Sequence, residues 1–282
     1  MFWQINKSDL PQVTIKKSVS VSGNAFRWFS KKSTVKFLPS EKQGIFFRIS
    51  NKFIEVKPQN LLFDEKHCTT LKTGSNKVME TEHVLSAVYG LGITNLIIEI
   101  FGCNEPPIMD GSSKYFTDAL VKAGIKKLKG KRKEVKITKR FKFSLPNSDS
   151  FIIAEPYNGF NINIKVSYPK PIGDQKLSLE VTPKKYREKI AFARPPLRCS
   201  IEGAPIESLR EWFKGYEKNK KSFIYYSKEK YLTKLRIGDE VVRHKTLDFI
   251  GDIANVGYPV KGKFTGFKVG HKINGEFVKL LS

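Results

Sequence analysis

Histidine is scarce in this chain of 282 residues, with four only, at positions 67, 83, 244 and 271. Acids are scarce too, 27 Asp+Glu against 51 Lys+Arg, which leaves a formal net charge of +24. An excess of that size draws polyanions to a surface, so composition alone favours an anionic partner. The three cysteines, Cys68, Cys103 and Cys199, are an odd number without paired spacing, which argues against a disulfide framework or a zinc ribbon. No apolar run is long enough to span a membrane; the longest, around Leu96 to Phe101, is broken by Glu99. The first twenty residues have neither the apolar stretch of a signal peptide nor the character of a transit peptide, so a cytoplasmic, reducing compartment is expected.

What the chain does hold is apolar mass. Forty per cent hydrophobic residues, 21 of them Phe, suffice for a sizeable core and exclude global disorder. Short strand patterns run through VTIKKSVSV, STVKFLP, GIFFRI and FIEVKP, with turn residues between them. METEHVLSAVYGLG reads as a helix with Val84, Leu85, Val88 and Leu91 on one face, closed by Gly90 and Gly92. NLIIEIFG follows as a strand, and DGSSKYFTDALVKAG as a second helix with Asp110 as N-cap and Gly124 as its stop.

Nine of the fifteen residues from Lys126 to Arg140 are then Lys or Arg. This run falls where two halves of the chain would join, and it reads as a solvated face or linker. Nucleic acid is not expected as a partner, because the run lacks interleaved aromatics and no recognised module is present. Phe141 and Phe143 alternate as core-facing strand residues do. Strands resume at FKFSL, FIIAEPY and NINIKVSY, and helical segments at KKYREKIAFAR, ESLREWFKG and DEVVRHKTLDFIGDI. The expectation is an α+β protein of two similar halves, 1–128 and 129–282, each with strands followed by a helix that bears a histidine.

Three short patterns carry chemistry. In RHKTLDFIGD, His244 and Asp248 are four apart and share one helix face, where both can reach one zinc ion. Asp252, four further on, can orient a neighbouring imidazole. Glu82 and His83 are adjacent on the first helix, so a histidine aimed at a metal leaves the glutamate able to act as a base on a nearby water. His271 follows Gly270 on what reads as a turn, where it can serve as a general acid. Each pattern alone is equally that of a helix-surface ion pair, a carboxylate at a helix N-terminus or an unremarkable loop histidine. Together they supply two histidines and one aspartate, the ligand number of an open, catalytic zinc site rather than a closed structural one.

The segments TEHVLSAVYGLGITNLIIEI, EPPIMDGSS, RHKTLDFIGD and GHKIN resemble those of UDP-3-O-acyl-N-acetylglucosamine deacetylases, the zinc amidases of lipid A synthesis. The likeness runs on through TIKKSVSVSG, PYNGF and YPKPIGDQKLSLEVTPKKYREKIAFAR, and so covers nearly the whole chain in order. It implies two topologically similar α+β domains, each a sheet packed on helices with a small insert, and an active site between them. Position by position, His83, His244 and Asp248 match the zinc ligands and Glu82 the base. His271 matches the general acid, with Asp252 as its carboxylate partner. Lys245 matches a substrate-contacting lysine, and Tyr168 falls where the family has an aromatic side chain that stacks on the nucleobase. The implied partner is a UDP-linked acylated amino sugar, met by a monomer with peripheral contact to an acidic membrane surface.

Two departures stand out. Arg27, in GNAFRWFS, replaces a histidine of the family. After AFAR the family continues Thr-Phe-Gly-Phe, and its threonine hydroxyl helps hold the oxyanion; here Pro195 and Pro196 follow, and proline has neither hydroxyl nor N–H. A non-catalytic relative that binds RNA or a lipid surface through its basic face is therefore the alternative expectation to an active deacetylase.

Overall fold

The computed structural model describes residues 1–26, 31–63, 68–199 and 220–281. Arg27, His67 and the segment ESLREWFKG, expected from sequence to be helical, lie outside the described residues. In chain order the first strands are β1 (Trp3–Ile15), β2 (Val19–Asn24), β3 (Lys32–Pro39), β4 (Gly44–Ile49) and β5 (Lys52–Glu55). Next come β6 (Leu61–Phe63), β7 (Thr69–Thr73), β8 (Asn76–Val78) and β9 (Asn95–Phe101). The second half carries β10 (Ile125–Ile137), β11 (Phe141–Ser144), β12 (Phe151–Glu155), β13 (Phe160–Ser167) and β14 (Asp174–Glu180). Short β15 (Pro196–Arg198) and β16 (Ile224–Tyr226) precede β17 (Val260–Phe267). The helices are α1 (Glu82–Gly90), α2 (Lys114–Ala123), α3 (Pro183–Lys189), α4 (Glu240–Ile253) and α5 (His271–Leu280).

The class is α+β, as the residue patterns imply. One sheet has the order β2-β3-β9-β4-β5, with only β4 and β9 parallel. Seven strands form the other sheet, with β17 as its spine: β12 pairs with it antiparallel and β13 parallel, and β10 pairs with its first residues. A hairpin sheet of β6, β7 and β8 and a two-stranded β15-β16 ribbon are separate. Helix α2 packs on β2, α4 on β13 and β14, and α5 on β12, while α1 lies against both α2 and α4. The helical layers of the two sheets therefore meet along α1 and α4.

That placement explains the burial. Among the residues of α4 all but Lys245 are buried, so the helix is covered on every side rather than amphipathic. Phe264 on β17 packs edge-on to Phe277 of α5 and tilts against Phe249 of α4, and Phe141 stacks on Phe277 at 5.7 Å. The two helices touch backbone to backbone. A Cβ added at Gly251 would lie 2.0 Å from the carbonyl oxygen of Glu82. At the other end of α1, a Cβ at Gly90 would lie 2.4 Å from the ring of Tyr186, whose hydroxyl donates to Ser86 Oγ at 3.0 Å.

Four expectations are corrected. VTIKKSVSV is not one strand, since the chain turns at Lys16–Ser18 between β1 and β2. Lys126–Arg140 is no linker: most of it is β10, hydrogen-bonded along its length to β1 from Trp3↔Ile137 to Ile15↔Ile125. Exposed lysines there hide a strand whose Leu128, Val135 and Ile137 point inward. Asp110 does not cap α2, which starts at Lys114; its carboxylate instead accepts from the Ser112 N–H and hydroxyl and pairs with Arg236. His271 is not on a turn but opens α5.

Gly251→Ala sets two effects against each other. Helix propensity alone would add about 1 kcal/mol of stability, whereas forcing a methyl into backbone contact costs about 1–3 kcal/mol or more. We expect a lower urea midpoint at unchanged slope, and a raised midpoint would mean that the helices part freely.

Candidate metal centre and active site

Glu82 and His83 stand in the first turn of α1, which the chain enters from the β6–β8 hairpin sheet. Thr81 precedes them without a side-chain capping bond; its N–H and its hydroxyl both go to the carbonyl of Thr69, at 3.2 and 3.1 Å. The N–H of Thr69 in turn donates to Glu82 Oε2 at 3.0 Å. His244, Asp248 and Asp252 line one face of α4, whose first turn is anchored by Glu240. The Glu240 carboxylate is fully buried, and it accepts from Arg194 Nε at 2.8 Å and from the Arg194 and Arg236 backbone N–H groups. This anchor holds residues 192–194 beside α4, and there the Ala193 carbonyl lies 3.1 Å from His244 Nδ1. With Nδ1 donating to that carbonyl, the lone pair of His244 is on Nε2.

Three potential ligand atoms then converge. Asp248 Oδ1 is 3.2 Å from His244 Nε2 and 3.6 Å from His83 Nε2. One ligand atom from each of the three residues lies within 4.8 Å of the others. The two imidazoles meet edge to face at 5.1 Å. Asp248 Oδ1 is buried and has no hydrogen-bond partner, whereas Oδ2 accepts from Lys245 Nζ at 2.9 Å. A buried carboxylate oxygen without a donor is costly, and a cation between it and two imidazole nitrogens removes that cost. A tetrahedral ion with bonds of about 2.0–2.2 Å needs ligand atoms about 3.4 Å apart, close to the 3.2 and 3.6 Å from Asp248 Oδ1 to the two imidazole nitrogens. The residues fit a divalent transition metal.

His271 Nδ1 is 2.9 Å from Asp252 Oδ2, and its Nε2 is 4.0 Å from Asp248 Oδ2. Asp252 is also held by the Thr69 hydroxyl at 2.5 Å and by Asn274 Nδ2 at 2.7 Å. Burial pushes the Glu82 carboxyl up to about 8, with the Glu80 charge adding to it. Burial works against charge on His271, yet Asp252 outweighs it and lifts the imidazole to about 10. The same burial lowers His244. For Asp248, burial would raise the carboxyl, but His244 and Lys245 hold it well below the usual range.

Every residue expected at a metal or proton-transfer position is brought together: His83, His244, Asp248, Glu82, His271 and Asp252. Lys245 is engaged by Asp248. Tyr168 is half-buried, packed with Ile172, Ile224 and Tyr226. Pro195 sits beside β15, its carbonyl accepting from the Ile224 N–H at 2.9 Å. A cavity of about 790 Å³ lies at the opposite end of α1, lined by Tyr89, Ile93, Arg132 and Pro183 among others, and none of the converging residues lines it. Volume is therefore not what marks the site.

Sequence reasoning missed Thr69, Asn274 and Gly251. Asn274 was discoverable, being one helical turn after His271. A glycine inside a helical pattern, as at Gly251, is also a signal of close approach. Thr69 gave none, because the partners of its hydroxyl are 183 and 202 residues away.

A family model described as UDP-3-O-acyl N-acetylglycosamine deacetylase matches residues 12–282. Among similar proteins, the UDP-3-O-acyl-N-acetylglucosamine deacetylase of Thermodesulfovibrio yellowstonii is 34% identical over 278 residues, covering 96% of this chain and 91% of that one. The protein of the same name from Nitratidesulfovibrio vulgaris is 34% identical over 279 residues, covering 96% and 87%. That of Psychrobacter cryohalolentis is 30% identical over 284 residues, covering 97% and 86%.

Two outcomes test this geometry. Glu240→Gln strands the buried Arg194 guanidinium and is expected to cost about 3–5 kcal/mol in denaturant unfolding, as breaking one side of a buried pair does. Asp248→Ala is expected to abolish binding of one equivalent of divalent metal, measured by equilibrium dialysis of the metal-stripped protein; retained stoichiometric binding would place the metal elsewhere.

Proposed function

This chain belongs to the UDP-3-O-acyl N-acetylglycosamine deacetylase family, and on that premise we propose that it hydrolyses the acetamide of UDP-3-O-acyl-N-acetylglucosamine, releasing acetate in lipid A synthesis. The observation that supports this reading is the convergence of His83, His244 and Asp248 with a carboxylate, Glu82, and an imidazole, His271, close by. Bound by those three residues, Zn²⁺ would supply a Lewis acid for the amide carbonyl and the means to acidify a water.

The chain's own groups do the rest. Glu82, kept protonatable near neutral pH by burial, takes the proton of the attacking water. His271, charged and held by Asp252, gives its Nε2 proton to the leaving nitrogen. Lys245 offers an ammonium to the diphosphate or the developing oxyanion, and Tyr168 a ring to the nucleobase. Residues 1–128 contribute the base and the metal ligand His83, and 129–282 the acid, its partner and the other two metal ligands. Acyl-chain burial adds roughly 0.8 kcal/mol per methylene to substrate binding. The setting we infer is a cytoplasmic monomer that touches an acidic membrane surface through its basic face.

Pro195 favours a second reading, a relative without turnover that binds RNA or lipid. Loss of one oxyanion donor costs on the order of 10²–10³ in turnover in a well-studied hydrolase, so slow catalysis is the expectation here rather than none. Acetate release from UDP-3-O-acyl-N-acetylglucosamine by the zinc-loaded protein decides. Glu82→Ala and His271→Ala should each lower kcat by about 10²–10⁴ while one equivalent of zinc stays bound. Wild type no faster than Glu82→Ala would overturn the catalytic reading, and RNA binding with a steep salt slope would support the other.

A further inference from the structure

We propose that Thr69 is a positioning residue that ties the general base to the general acid, an inference that rests on the deacetylase reading above. Thr69 is the first residue of β7, in the hairpin sheet, and it is buried. Its three polar groups reach two separate parts of the site. The backbone N–H donates to Glu82 Oε2, and the carbonyl accepts twice from Thr81 at the start of α1. The hydroxyl points the other way, 2.5 Å from Asp252 Oδ1 on α4 and 3.3 Å from His271 Nδ1 on α5.

The direction of that bond is fixed by donor count. A hydroxyl has one proton and a carboxylate only accepts, so Thr69 donates to Asp252 and turns a lone pair towards His271 Nδ1. Asp252 Oδ2 takes Asn274 Nδ2 at 2.7 Å and His271 Nδ1 at 2.9 Å. With donors on both oxygens the carboxylate cannot rotate, and the imidazole that leans on it keeps its Nε2 directed at Asp248. Asp252 is 1% exposed, so no solvent replaces a lost donor. Partners one step removed from a functional side chain commonly carry about 10–100-fold in activity.

Valine keeps the shape of threonine and loses the hydroxyl, and any residue at 69 other than proline keeps the N–H on Glu82. The substitution therefore loosens the acid while leaving the base in place. In the zinc-loaded protein, Thr69→Val is expected to lower kcat about 10–100-fold at unchanged KM, and Thr69→Ser to recover most of the loss. In the zinc-free protein, the downfield proton resonance that disappears in His271→Ala, that of Nδ1–H, should shift in Thr69→Val and return in Thr69→Ser. Wild-type kcat and an unmoved resonance in Thr69→Val would overturn the proposal, as would Thr69→Ser behaving like Thr69→Val. Should Thr69→Val not fold, Thr69→Ala carries the same expectation. Absence of acetate release by the wild type would sink the deacetylase reading alone, and the resonance would still decide the role of Thr69.

Discussion

The site exists because α4 lies directly against the first turn of α1. Gly251 is what permits it: a side chain there would need the space of the Glu82 carbonyl oxygen. At that separation His83 and His244, 161 positions apart in the chain, bring their rings to 5.1 Å, and Asp248 reaches both. Side-chain bonds also run across the contact. Thr69 joins the hairpin sheet to α4 and α5, and Tyr89 Oη accepts from the Val260 N–H at the far end of α1. A shift of one helix against the other would displace His83, His244, Asp248, Glu82 and His271 together.

The same burial sets the electrostatics. Glu82, Asp248 and Asp252 share a nearly dry space with three imidazoles and Lys245, and like groups there are driven apart by their partners. Glu82 receives only a backbone N–H, so burial dominates and its carboxyl rises. Asp248 has Lys245 and two imidazoles beside it and stays charged. Beside Asp252 the His271 imidazole is lifted to about 10, whereas burial holds His244 down even though Asp248 Oδ1 is 3.2 Å from its Nε2. Two acids and two histidines are thus shifted in opposite directions by burial and by different neighbours. The unsatisfied oxygen of Asp248 is the residual that a cation would satisfy.

Most of this was legible in the sequence. HxxxD on one helix face and Glu–His at the start of another are local patterns, and local patterns survive into the fold because α-helices preserve the spacing of four. The resemblance over nearly the whole chain supplied the join between them. What was not legible is whatever depends on long-range contact. Asp110 looked like a cap because an acid precedes a helix, but Arg236, 126 positions on, claims its carboxylate. His271 looked like a turn residue because of Gly270, but that glycine has an extended backbone and serves as the residue before α5. Thr69 looked like nothing at all.

The charge of +24 takes a different meaning once β10 is a strand. Its partner β1 is the outer strand of the larger sheet, where unpaired backbone groups invite a second chain. Here Pro11, register shifts on either side of it, and lysines along the ribbon all discourage such pairing. Lys7 even stands opposite Lys133 on the neighbouring strand, an arrangement that costs stability and is tolerable because both side chains are exposed. Beyond the edge, the charge acts as a field rather than a site. At about 0.1 M salt its reach is about 10 Å, so it concentrates anions near the surface without choosing among them. Choice would require a cation whose position is fixed, and Lys245 is mostly buried and held at 2.9 Å by the same aspartate whose other oxygen faces His83 and His244. On the proposed deacetylase reading, one carboxylate would thereby set the distance between a metal and an ammonium, the spacing that an amide carbonyl and a nearby phosphate would have to match.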